Sequence, residues 1–180
     1  LKDGNMKKNT TKMVAFGGVI AALYVVLTII AAALGIASGA IQVRLSEALT
    51  ILPVFTAAAV PGLTVGCVVA NLITGCAAWD VVFGSMATLL GAIGTRLLKD
   101  RPAVAWIPPV VSNMVIVPIV LMKVYGVDNV EVFGEVFNGD SLWIMLAVTV
   151  GIGEIIACGV LGMLLYQTIK KNPRITDLVD

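Results

Sequence analysis

No histidine occurs anywhere in the 180 residues. Imidazole metal ligands, Ser-His-Asp and Cys-His nucleophile systems and zincin-type motifs are therefore excluded. Charge is also scarce: Asp, Glu, Lys and Arg make up 13% of the chain, about half the share in an average soluble domain. The three cysteines, Cys67, Cys76 and Cys158, stand in apolar surroundings with no CxxC spacing, so they read as small packing residues. No GxxxxGK[ST] phosphate loop is present, and a net charge of +1 gives no overall signal for nucleic acid. With no visible pair of nucleophile and base, the chain is not expected to be an enzyme, and no cofactor or metal is expected.

What is abundant is apolar sequence. Hydrophobic residues fill 59% of positions and the mean hydropathy is +1.01, which indicates a membrane protein. At about 1.5 Å of rise per residue and about 30 Å of hydrocarbon, a crossing takes roughly 20 residues. The chain can supply six or seven crossings and no soluble catalytic domain besides.

The charges divide it further. An uncharged run over 13–43 gives the first span. The run over 48–79 is too long for one helix and is interrupted by Val60-Pro61-Gly62, which predicts two short spans, 44–60 and 62–79, joined by a tight hairpin. Spans four and five are expected over 80–98 and 103–122, separated by Arg96, Lys99, Asp100, Arg101 and Pro102. Residues 124–140 carry Asp128, Glu131, Glu135 and Asp140, with Val130, Phe133 and Phe137 at helical spacing, and read as an interfacial amphipathic segment lying across a mouth. Span six covers 141–169. Ten of the twelve Lys and Arg precede span one, lie between spans four and five, or follow span six, so six spans place both termini in the cytoplasm. The N-terminus lacks a cleavable-signal pattern, and Met6 is the expected natural start, with Leu1 to Asn5 as added residues.

Ionisable groups inside spans are costly, which makes Arg44, Glu47, Asp80 and Glu154 the informative residues. Arg44 and Glu47 either pair with one another or address a ligand. Asp80 either caps the helix it opens or contacts a ligand. Glu154 lies 13 positions after Ser141, some 20 Å into the bilayer at about 1.5 Å per residue, where neither capping nor snorkelling is open to it. Asn71 and Asn113 sit at similar depth, and interhelical hydrogen bonding is the ordinary use of such amides. Trp143, Ala147, Val150 and Glu154 share one helix face, and Trp79 and Phe83 flank Asp80. For the two tryptophans an aromatic belt is the competing use. Taken together, these carboxylates, amides, aromatics and one guanidinium suit a planar, hydrogen-bonding heterocycle. In the first span, Gly17 with Ala21 and Gly18 with Ala22 form small-xxx-small pairs, open to packing within the bundle or to docking of another helix.

At Gln42-Val-Arg44-Leu-Ser46-Glu47-Ala48-Leu49, Pro61-Gly62-Leu63, Gly66-Cys67, Ala70-Asn71 and Asp80-Val-Val-Phe83-Gly84-Ser85-Met-Ala87-Thr88 the sequence resembles the QueT family, substrate-binding S components of energy-coupling factor (ECF) transporters. The resemblance covers about 13–171. It implies an all-α membrane fold with six transmembrane helices in an S-component-like bundle, residues 1–12 and 171–180 being cytoplasmic tails and 13–170 the substrate-binding domain. The implied ligand is a queuosine precursor, a deazaguanine of the preQ1 or preQ0 type. The implied partners are a transmembrane coupling subunit (EcfT) and two ECF ATPases, in the plasma membrane of a prokaryote. On this reading Glu47 and Glu154 are candidates for the N–H edge of the base, Asp80 for an exocyclic ammonium, and Arg44, Asn71 or Asn113 for the carbonyl. Trp79, Phe83 and Trp143 would stack on the ring, and Gly17, Gly18, Ala21 and Ala22 would form the docking face. Competing readings are an S component for another vitamin or heterocycle, a self-sufficient channel or facilitator, and an assembly subunit whose buried charges only pair helices.

Overall fold

A computed structural model describes residues 2–37 and 41–172. Leu1, residues 38–40 and most of the expected C-terminal tail, including Arg174, lie outside the described residues. Helix α1 (Lys2–Ala33) runs back through the expected N-terminal tail, and its apolar part, Thr10–Ala33, is long enough to cross a bilayer. Val14, Val19, Leu23, Val26 and Ile30 are exposed on its outer side, as lipid-facing residues would be, whereas its inner side is small and buried at Gly17 and Ile20.

The next stretch departs from expectation. In place of a span over 44–60 with a turn at Pro61, the chain forms a ten-residue 3-10 helix, Leu45–Val54, then turns, and begins α2 (Ala59–Ile73) before Pro61. Pro61 is the third residue of α2, where the missing N–H has no helical acceptor to lose, so proline starts the helix here and does not break it. Gly62 follows because α1 passes very close: a Cβ on Gly62 would lie 2.7 Å from the Gly17 carbonyl oxygen. The expected hairpin thus moves to the residues after Val54. There Arg96 Nη1 donates to the carbonyls of Pro53 and Val54, at 3.0 and 3.4 Å, satisfying groups a helix end leaves open.

Helix α3 (Ala78–Leu97), the short turn Pro102–Val104 and α4 (Ile107–Lys123) follow as the charge pattern indicates. Residues 124–140 do not form an amphipathic helix. They contain an antiparallel hairpin of β1 (Asn129–Val132) and β2 (Glu135–Asn138), with Val130 opposite Phe137 and Val132 opposite Glu135. Alternation decides it: Val130 and Val132 are half-buried and Asn129 and Glu131 exposed, a period of two. The turn residues Phe133 and Gly134 both have positive φ, 53° and 85°, as a two-residue hairpin turn requires, and Phe133 is 96% exposed.

The last crossing is one rod of three parts: α5 (Asp140–Glu154), a π-helical segment Ile155–Leu161, and α6 (Gly162–Lys170). Among the described residues, four helices are long and apolar enough to cross a membrane, and two apolar segments, Leu45–Val54 and Ala59–Ile73, are shorter. A core of Ile20, Tyr24, Leu49, Leu63, Cys67 and Ala92 joins α1, the 3-10 helix, α2 and α3.

Candidate functional site

After α1 the chain doubles back, with the Val43 amide donating to the Ile36 carbonyl at 2.9 Å. The returning strand settles directly on α5, where a Cβ at Gly153 would overlap the Gln42 carbonyl oxygen. Only glycine leaves room for that approach. It carries Arg44, Ser46 and Glu47 into the bundle beside Glu154.

Glu47 is wholly buried, at 0% exposure. Its Oε1 accepts a hydrogen bond from the Tyr24 hydroxyl, and its backbone carbonyl accepts one from Thr50 Oγ1 at 2.6 Å. Thr28 Oγ1 lies 2.8 Å from the Tyr24 carbonyl and 2.9 Å from Ser46 Oγ, tying α1 to the start of the 3-10 helix. Across from Glu47, Glu154 Oε2 accepts from Cys158 Sγ at 3.3 Å, and Thr50 Oγ1 approaches that sulfur at 3.4 Å. Cys158 therefore has a polar role as well as a packing one. Carboxylate oxygens of Glu47 and Glu154 and the Cys158 sulfur lie within 4.8 Å of one another, a group whose donor types could hold a metal ion. Arg44 acts electrostatically on both carboxylates from a distance.

Among the described residues three buried side-chain atoms make no hydrogen bond of ordinary geometry, Glu47 Oε2, Asn113 Nδ2 and Ser85 Oγ, although Thr88 stands beside Glu47 and Glu154 beside Asn113. Leaving such a group unpaired costs about 1–3 kcal/mol, more where it is charged. Asn113 stands beside Glu154 from α4 and is 2% exposed.

Against this cluster lies a cavity of about 190 Å³, whose polar wall is Tyr24, Thr28, Arg44, Ser46, Asn71 and Thr74. It falls below the roughly 300–1,000 Å³ usual for drug-sized ligands and suits a small molecule. The Arg44 guanidinium makes no hydrogen bond or ion pair among the described residues, and its contact with Glu47 is through the backbone, the Arg44 carbonyl accepting from the Glu47 amide at 3.0 Å, so the expected side-chain pairing is not formed. Asn71 and Asp80 meet over Gly84, where an added Cβ would lie 3.2 Å from Asn71 Nδ2 and 3.3 Å from Asp80 Oδ1. Asp80 makes no cap bond. Its Oδ2 accepts from the Tyr125 hydroxyl at 2.8 Å, while that hydroxyl accepts from the Ala77 amide at 3.2 Å. This latch joins the α2–α3 turn to the segment after α4. Partial burial, reinforced by the hydrogen bond to Asp80 and its charge, pushes the Tyr125 phenol up to about 12.

The aromatic candidates lie elsewhere. Trp79 is 63% exposed and stacks on Phe83, ring centroids 5.9 Å apart, and Trp143 is also exposed. None of the three lines the cavity. On the Trp143 face of α5 only Ala147, Val150 and Glu154 are buried. The small residues of α1 also separate. Gly17 packs on Ala58 and Gly62, and Ala21 on Gly66, inside the bundle, while Gly18 and Ala22 are exposed. Val14, Gly17, Gly18, Ala21, Pro61 and Gly62 border an apolar groove of about 470 Å³ between α1 and α2.

Tyr24, Thr28, Ser46 and Tyr125 are prominent in this geometry without a strong sequence signal. Tyr24 follows Gly17 and Ala21 at helical spacing, so the same face that carries the small residues points to it.

No solved structure matches the chain. A relative named Queuosine precursor transporter QueT, from Lactococcus lactis subsp. cremoris (strain MG1363), is 35% identical over 97 residues, 53% of this chain and 56% of that protein, so the match spans about half of each. The family described as QueT transporter matches residues 14–171, and the chain, a protein with several helices able to cross a membrane, belongs to the QueT transporter family.

Proposed function

We propose that the chain is the membrane-embedded S component of an ATP-driven ECF importer and captures a deazaguanine precursor of queuosine. The single observation that carries a ligand-binding reading is the small cavity lined by Tyr24, Ser46, Asn71 and Arg44, set against the buried Glu47–Glu154 cluster through the Tyr24 hydroxyl that bonds Glu47. Family membership and the printed name of the Lactococcus relative supply the ligand class. A deazaguanine offers adjacent N–H groups and a carbonyl, matching carboxylate, amide and guanidinium. Asp80, whose Oδ1 faces Gly84 beside Asn71, suits an exocyclic ammonium.

On this reading the two short apolar segments complete six crossings, because the bundle around them shields their ends. The cavity lies by the end of α1, the α2–α3 turn and the Tyr125 latch, while Arg96, Lys99, Arg101 and Lys170 mark the opposite end. The concentration of basic residues there orients the cavity outward and both termini to the cytoplasm of a prokaryotic cell. The exposed Gly18 and Ala22, with the α1–α2 groove, form the surface for the coupling subunit, and two ATPases supply energy through it. Ala22→Trp should abolish co-purification with the coupling subunit while leaving ligand affinity unchanged. Ala21→Trp is the wrong probe, since Ala21 packs on Gly66.

The decisive test is calorimetric titration of the purified, detergent-solubilised protein with 7-aminomethyl-7-deazaguanine, with guanine, queuine and riboflavin for comparison. Selective binding of the deazaguanine is expected. Equal binding of all four, or of none, would defeat the assignment.

A further inference from the structure

Ten of the twelve basic residues belong to the termini or to the loop between α3 and α4, and of the other two Arg44 lines the cavity. The last, Lys123, ends α4 at the far end of that helix from the loop. A cation there complements the helix dipole, which accounts for its tolerance but not for its surroundings. Lys123 is exposed, and its side chain makes no hydrogen bond or ion pair among the described residues. The carboxylates near it in sequence and space are engaged elsewhere, Asp80 with Tyr125 and Asp128 with Asn129.

Lys123 borders a groove of about 220 Å³ between α3 and α4, whose walls are otherwise apolar: Phe83 and Met86 on one side, Ile116 and Ile119 on the other. From Lys123 back to Ile116 the groove follows about 10 Å of helix, against about 15 Å of hydrocarbon in one leaflet. It shares no lining residue with the polar cavity or with the α1–α2 groove. Phe83 stacks on the exposed Trp79, an aromatic pair of the kind found at headgroup level.

We propose that the α3–α4 groove binds one anionic glycerophospholipid, an acyl chain lying against Met86 and Ile116 and the headgroup phosphate pairing with Lys123. The length and apolarity of the groove suit a single chain. A second protein helix, about 10 Å across, covers such a groove without filling it or answering the ammonium. The lysine supplies the selection, because a choline headgroup carries its own cation beside the phosphate and a glycerol headgroup does not.

Native mass spectrometry of the purified full chain in detergent tests this, with equimolar phosphatidylglycerol and phosphatidylcholine of identical acyl chains. In wild type the first lipid bound should be phosphatidylglycerol by about fivefold over phosphatidylcholine. Lys123→Gln should bring that ratio to about one, whereas Lys123→Arg and Lys99→Gln, the latter at the opposite end of the bundle, should keep it. Met86→Trp, which fills the groove, should lower first-lipid occupancy by about threefold or more for both lipids. Lys123 and Met86 are both exposed, so these substitutions leave the core intact. No preference in wild type, a preference that survives Lys123→Gln, one lost equally in Lys99→Gln, or undiminished occupancy in Met86→Trp would each overturn the proposal.

Discussion

The carboxylate side and the aromatic side of the candidate site have opposite fates. Glu47, Glu154 and Asn113 are drawn from three separate elements into one sealed cluster, while Trp79, Phe83 and Trp143 remain on the surface. A charge in hydrocarbon must find partners, so its position within a span constrains where it ends up. A tryptophan is content at the membrane interface and carries no such constraint. Depth is therefore informative for polar residues and nearly silent for aromatic ones.

The most severe way to break the carboxylate side is to push away the strand that brings it in. Gly153→Ala places a Cβ on the Gln42 carbonyl and should displace Arg44 and Glu47 from Glu154, abolishing ligand binding. Calorimetry on monodisperse protein checks it, and retained binding would mean that the approach of the returning strand is not needed. Glu154→Gln comes next. It replaces one carboxyl oxygen by an N–H donor while keeping the shape, and weakening by about ten- to a hundredfold is expected. Trp79→Ala and Trp143→Ala sharpen the contrast from the other side, since both are exposed and neither lines the cavity. Each should change affinity by less than about twofold, and a larger loss from either would return the aromatic side to the site.

The smallest effect concerns the latch. Tyr125 is raised from 10.0 to about 12, so the protonated phenol that donates to Asp80 is favoured in the folded protein. Its contribution is complete below pH 10 and fades as pH rises through about 12. Absorbance titration at alkaline pH should show the Tyr125 phenol ionising late in wild type and earlier in Asp80→Asn, though still above its ordinary position because its burial remains. Identical curves would dissolve the latch.

Much of the architecture is legible in the sequence because charge is rare and marks each boundary. Long helices begin or end close to Asp80, Arg96, Lys123, Asp140 and Lys170. Two features are not. Pro61 signals either a break or a helix start, and only the close approach of Gly17 to Gly62 decides between them. In the hairpin, Val130, Phe133 and Phe137 satisfy a helical period by coincidence, while the two-residue turn at Phe133-Gly134 lacks the Asn-Gly or Asp-Gly signature. Within the site, the depth of Glu154 and Asn113 can be counted from their helix boundaries. Tyr24 escapes because a tyrosine in an apolar run resembles any other bulky residue until its hydroxyl is seen to meet Glu47.

The π-helical turn after Glu154 affects how this protein should be lined up with its relatives. A segment bonded i to i+5 holds one residue more than the surrounding α-helix needs, and it shifts the phase of everything beyond it. A homologue lacking one residue between Ile155 and Leu161 would straighten the rod and still present both ends correctly only if its downstream face were rewritten by one position. An ungapped comparison across this point would therefore equate lipid-facing residues with buried ones, and conservation scored that way would be misread on the whole of α6.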